Sequence, residues 1–105
     1  MTKSISIGNG AGFWGDRISA SYDLIKQSRL DYLTLDYLSE LSLAILAYQK
    51  KKDISGGYVP DFLSVLDLIA PLLAKNPHLK IITNAGALNP HECARQVAKI
   101  LNRHG

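Results

Sequence analysis

Residues able to do chemistry gather in three short stretches of this chain. The first, Gly8-Asn9-Gly10-Ala11-Gly12-Phe13-Trp14-Gly15-Asp16-Arg17, joins flexible backbone to a carboxylate and a guanidinium. The second, Asp36-Tyr37-Leu38-Ser39-Glu40, carries two carboxylates at helical spacing, and the third, Asn84-Ala85-Gly86-Ala87-Leu88-Asn89-Pro90, supplies amides and a glycine. Backbone N–H groups of Gly8, Gly10, Gly12 and Gly86 could meet an anion. Asp36 and Glu40, with Asn9 or Asn84, are the hard oxygen donors that magnesium takes. Asp16 and Arg17 could pair to orient a carboxylate substrate. Each feature also has a plain structural use. Strand-to-helix turns need glycine and asparagine in any case, Asp36 could cap a helix, and Glu40 could be solvated.

Gly10-x-Gly12-x-x-Gly15 satisfies the dinucleotide pattern G-x-G-x-x-G, and Asp36 stands where an acid would hold a ribose. The details fit less well. The third glycine of that pattern belongs inside the helix, whereas Asp16 follows Gly15 and reads as the helix cap. A carboxylate there competes with a pyrophosphate, and Phe13-Trp14 stand where backbone should approach phosphate. A P-loop is excluded, since no lysine follows the last glycine. His78, His91 and His104 lie in different segments without ligand spacing, so no metal site is assigned and the cofactor is unknown.

The elements that must position these stretches are read from periodicity. Ser4-Ile5-Ser6-Ile7 alternates, is β-branched and stops at Gly8, which predicts a first strand. Asp16 then caps a helix from about Arg17 to Ser28 carrying Ile18, Tyr22 and Ile25. Asp31–Asp36 reads as a second strand. Leu38, Leu41, Ile45 and Tyr48 mark a helix to about Lys51, widened by Leu43 and Leu46 into a covered element. DISGGYVP, from Asp53 to Pro60, is a loop. Asp61 starts a helix with Phe62, Leu66, Ile69 and Leu73 inward, and Pro71 should kink it or end its first half. Leu79–Asn84 is a third strand. Asn89-Pro90-His91-Glu92 opens a last helix, with Asn89 as cap.

The order β-α-β-α-α-β-α predicts an α/β fold: a three-layer-type parallel sheet with flanking helices and right-handed crossovers. All three polar stretches then lie at strand carboxyl ends, the edge where open α/β sheets bind ligands. Three parallel strands make a small sheet with two edges. The expectation is a single α/β unit over residues 1–105, the N-terminal part of a longer domain with a missing C-terminal portion, or else a homo-oligomer.

Bulk properties narrow the classes. The chain has 105 residues, is 47% hydrophobic and 20% charged, and carries a net charge of +3. That balance is globular and only slightly basic, so neither nucleic acid nor membrane is an expected partner. Lys50-Lys51-Lys52 suits a helix C-terminus. The single cysteine, Cys93, permits no internal disulfide and reads as a buried thiol in a reducing compartment. Without an apolar run of membrane length or a secretory signal, the expected location is the cytoplasm.

IGNGAGFWGDR, LDYLTLDYLSELSLAIL and ITNAGALNP, in this order from Ile7 to about Ile100, together resemble the N-terminal domain of the acyclic terpene utilisation proteins. The resemblance implies an α/β domain several times longer than this chain. It implies a role in catabolism of acyclic terpenes such as citronellol and geraniol, at the level of carboxylic acids or their coenzyme A thioesters, with no assigned reaction. Matching positions are Gly8, Asn9, Gly10, Gly12, Trp14, Gly15, Asp16 and Arg17, then Asp36, Tyr37, Leu38 and Glu40, then Asn84, Gly86, Asn89 and Pro90. Leu35 and Ser39 depart mildly from the expected second signature. Ala87 departs from the glycine expected in the third.

The resulting expectation is an organic acid or acyl thioester at the strand carboxyl ends. Gly8, Asn9, Gly10, Gly12, Asn84, Gly86 and Asn89 are its binding candidates, and Asp36, Glu40, Asp16 and Arg17 its candidates for catalysis. A Rossmann-type dinucleotide module of an oxidoreductase and a small non-catalytic interaction protein are the alternatives, and the residues leave open whether the chain is an enzyme.

Overall fold

The computed structural model describes residues 3–105; Met1 and Thr2 lie outside the described residues. Its elements run β1 (Ile7–Ala11), α1 (Ala20–Gln27), β2 (Tyr32–Leu35), α2 (Glu40–Lys52), α3 (Asp61–Lys75), β3 (Lys80–Thr83) and α4 (Pro90–His104). The strands form one parallel sheet in the order β1-β2-β3. Ile7 lies opposite Tyr32, and Tyr32 opposite Lys80. The expected α/β fold and element order are the ones observed.

The first strand sits further along the chain than its alternating run suggested. It begins at Ile7 rather than Ser4 and carries Gly8 and Gly10 within it. The reason is the close approach of α1 and of Leu30 beyond it. A Cβ on Gly8 would come within 2.8 Å of Leu30 Cδ1, and one on Gly10 would overlap Ser21 Oγ. Strand residues with side chains would hold α1 away, so these glycines let the helix lie on the β1 backbone. Asn9 pairs with Thr34 and Ala11 with Leu35, which makes Gly10 an extra residue, a β-bulge.

α1 starts at Ala20, later than Arg17, and Ser19 before it makes no side-chain cap bond. Asp16 is not its cap, because the Asp16 carboxylate already accepts from the backbone N–H groups of Gly12 and Arg17. α2 is capped by Ser39 instead of Asp36: Ser39 Oγ accepts from Ser42 N, and Ser42 Oγ accepts from Ser39 N at 2.6 Å, a reciprocal box. α3 runs unbroken through Pro71, which neither ends nor divides it. Pro71 is exposed, so water can reach the backbone carbonyl its ring leaves unpaired, while buried Leu66, Ile69, Ala70 and Leu72 fix the helix around it. α4 begins as expected, with Asn89 Oδ1 accepting from Glu92 N and Pro90 in the first turn.

Alternation along the strands turns Gly8, Gly10, Leu33, Leu35, Ile81 and Thr83 to one face. That face carries the core, with Leu33, Leu46, Val59, Ile69 and Ala85 fully enclosed beneath α1, α3 and the rim loops. The opposite face presents Ile7, Asn9 and Ile82 to solvent. Among the described residues, then, helical cover lies on one side of the sheet, which makes two layers where three were expected, because Ile7, Asn9 and Ile82 face solvent on the other. No helix among them is long and apolar enough to cross a membrane.

Candidate functional site

The three polar stretches meet on one edge of the sheet. β1, β2 and β3 are parallel, so their carboxyl ends point the same way. Asp36 N donates to Ala11 O at 2.9 Å, joining the first and second loops. Asn84 joins the second and third: its Nδ2 donates to Asp36 Oδ1 at 2.8 Å, and its Oδ1 accepts from Tyr37 N at 2.9 Å. Thr83 Oγ1 reinforces this seam by donating to Leu35 O and accepting from Ala85 N.

In the first loop the exposed backbone starts at Gly12, because Gly8 and Gly10 lie buried within the strand. Asn9 sits on the uncovered sheet face. With its amide nitrogen turned toward the strand carbonyls, Nδ2 donates to Ala11 O at 2.9 Å and Thr34 O at 3.0 Å, bracing the bulge. Asp16 folds back on the loop and accepts from Gly12 N at 2.9 Å and Arg17 N at 2.8 Å. Those bonds, that from Gly12 foremost, hold the exposed Asp16 carboxyl below its usual 3.8. Gly15, with φ of +108°, permits the turn that brings Asp16 back. The Arg17 guanidinium faces Asp23 at 3.5 Å, so the expected Asp16–Arg17 side-chain pair does not form.

Asp36 and Glu40 do not share a helix face, since α2 begins only at Glu40. Asp36 is tied to Asn84, and Glu40 stands exposed in the first turn of α2. No group of three or more His, Cys, Asp or Glu able to hold a metal ion occurs among the described residues. Gly86 lies against the start of α4, where a Cβ would meet Pro90 Cα at 2.9 Å. Asn89 spends its amide on the DISGGYVP loop, donating from Nδ2 to Ile54 O and Gly56 O at 3.1 and 2.9 Å.

Lys50 and Tyr37 lie outside the binding and catalytic residues expected from the sequence. Lys50 Nζ donates to Leu88 O at 2.8 Å and pins the end of α2 to the third loop. The other end of α2 faces the first loop across a cavity of about 220 Å³ lined by Gly12, Phe13, Trp14, Tyr37, Leu41 and Ile45. α2 therefore crosses the rim from one outer strand to the other. Tyr37 is buried and its hydroxyl has no hydrogen-bond partner among the described residues. Burial, with added repulsion from Asp61 and Asp16, pushes its phenol up to about 12.

A larger apolar groove of about 640 Å³ runs between α3 and α4 over β3 and reaches the rim at Thr83, Gly86 and Pro90. Phe62, Leu66, Ile81 and Val97 line it. Its polar side chains are satisfied within the protein, Asn76 by Leu72 O and Thr83 by Leu35 O. Cys93, in its floor, is a free buried thiol as expected, and burial raises its pKa away from nucleophilic use.

No curated protein and no solved structure matches the chain. One family model does, that described as acyclic terpene utilisation family protein AtuA, over residues 5–105. The match takes in all three loop signatures, both walls of the groove and every strand of the sheet, and the chain belongs to the acyclic terpene utilisation family.

Proposed function

We propose that this chain binds an organic acid or acyl thioester with an acyclic, branched hydrocarbon chain, its polar end on the rim and its chain in the groove. One juxtaposition carries the reading: a rim of polar loops opens directly onto a groove with no unsatisfied polar side chain of its own. Family membership supports it, as acyclic terpenes are hydrocarbon chains. Arg17, exposed beside the first loop, supplies the cation for a carboxylate or a coenzyme A phosphate. Asp36 and Glu40 are the candidates for proton transfer. Asn84 and Asn89 hold the loops in shape, and Gly12 keeps the space beside them open.

A dinucleotide is the weaker reading. α1 begins five residues past Gly15, and Asp16 occupies the Gly12 amide that a pyrophosphate would use. The test is calorimetric titration of the chain with the acids of citronellol and geraniol, their coenzyme A thioesters, acetate, and NAD(H) and NADP(H). The expected result is affinity that grows with hydrocarbon length and falls about tenfold or more in Val97→Trp, which fills the groove. Binding of a dinucleotide, or of none of the acyl compounds, overturns the proposal.

A further inference from the structure

α2 is apolar on two sides. Ser42 and Leu46 face the protein, whereas Leu41, Ala44, Ile45 and Tyr48 form a stripe on the outer side. Leu41 is 71% exposed, Tyr48 59% and Ile45 41%, and Phe13 of the first loop, at 59%, extends the patch beside Leu41 and Ile45. Spacings of three and four residues are those of a seam between helices, not of a solvated face.

We propose that this stripe is the contact surface of a homodimer, in which α2 lies antiparallel to α2 of a second copy. Charge selects that partner. Glu40 occupies the first turn of α2, and Lys50, Lys51 and Lys52 the last. Parallel pairing would set lysines against lysines. Antiparallel pairing sets Glu40 beside the partner's Lys51 and opposes the two helix dipoles. Side-chain sizes agree with one register: Leu41 meets the partner's Tyr48, and Ile45 lies over the partner's Ala44, a large residue on a small one. Lys50 is already engaged by Leu88 O, and Lys52 lies over the Tyr48 ring at 4.7 Å, which leaves Lys51 for the partner. The lysines cluster at one end of α2 instead of flanking the stripe, which favours a helix over an anionic membrane as occupant.

The partner's helix would roof the cavity that Phe13, Leu41 and Ile45 border, so association closes the space beside the first loop. One helix pair with Phe13 is a small interface, and the association is correspondingly weak and concentration-dependent. This inference is independent of the acyl-ligand proposal. It is tested by sedimentation of the whole chain across a concentration series, with Ile45→Glu as the disrupting variant and circular dichroism as the check on folding. Apparent mass should rise toward twice that of one chain, and Ile45→Glu should weaken association by about a hundredfold or more. A short thiol-specific crosslinker should join copies of Ala44→Cys but not of Arg95→Cys, native Cys93 being buried. A monomer at every concentration, a dimer indifferent to Ile45→Glu, or equal crosslinking at both sites overturns the proposal. So does Ile45-dependent binding to anionic vesicles by a chain that stays monomeric.

Discussion

At the scale of single residues, Ala87 and Tyr37 both stand in places that cost stability. Ala87 adopts φ of 45° in the third loop, a left-handed conformation that strains any residue with a Cβ. Ala87→Gly should raise stability by about 1 kcal/mol in chemical denaturation. The buried Tyr37 hydroxyl has no partner among the described residues, which leaves its desolvation uncompensated there. Tyr37→Phe removes that group while keeping the ring among Ala11, Leu35 and Val59 in the core, and should stabilise by about 1 kcal/mol. A loss of stability in Tyr37→Phe would show that the hydroxyl is bonded in solution.

At the scale of elements, β1 and α1 are made for each other by the side chain that Gly10 lacks. Gly10→Ala should cost about 1–3 kcal/mol, as overpacking does, because Ser21 must move and α1 with it. The turn before α1 is held by the Asp16 carboxylate, whose pKa is lowered in the folded chain. A folded value below the unfolded one gives stability that is present above about pH 4 and lost as pH falls through the folded value. Asp53, bonded to Ser55, and Asp67, bonded to His104, are lowered in the same sense. Acid titration of the unfolding midpoint should show this loss, and Asp16→Asn should make its slope shallower. Local rules made much of the fold legible. Asn89-Pro90-x-Glu92 announces α4 because a cap is settled by residues within one turn, and β2 and β3 show as β-branched and aromatic runs between breakers. The displacement of β1 was not legible, because the need for glycine there arises from Leu30 and Ser21 approaching in space. The rim was legible as a set of loops, since parallel strands send their ends the same way. The bonds joining Asp36, Tyr37 and Asn84 were not, because they span strands 47 and 48 residues apart in sequence.

At the scale of the whole molecule, the sheet is covered by helices on one face and bears Ile7 and Ile82 in the open on the other. Parallel sheets are ordinarily buried on both faces, but no helix among the described residues rests on Ile7, which is exposed, so Ile7→Lys should leave the fold intact, and an unchanged thermal midpoint would check this. α2 has the largest mechanical reach. Its start borders a cavity shared with the loop after β1, and its end is pinned to the loop after β3. Thirteen residues of helix make a crossbeam about 20 Å long. Such a beam sets how wide the two outer loops can stand apart. The gap between the two outer loops is thus spanned by one rigid element, and a change in its tilt would alter both ends of the mouth at once.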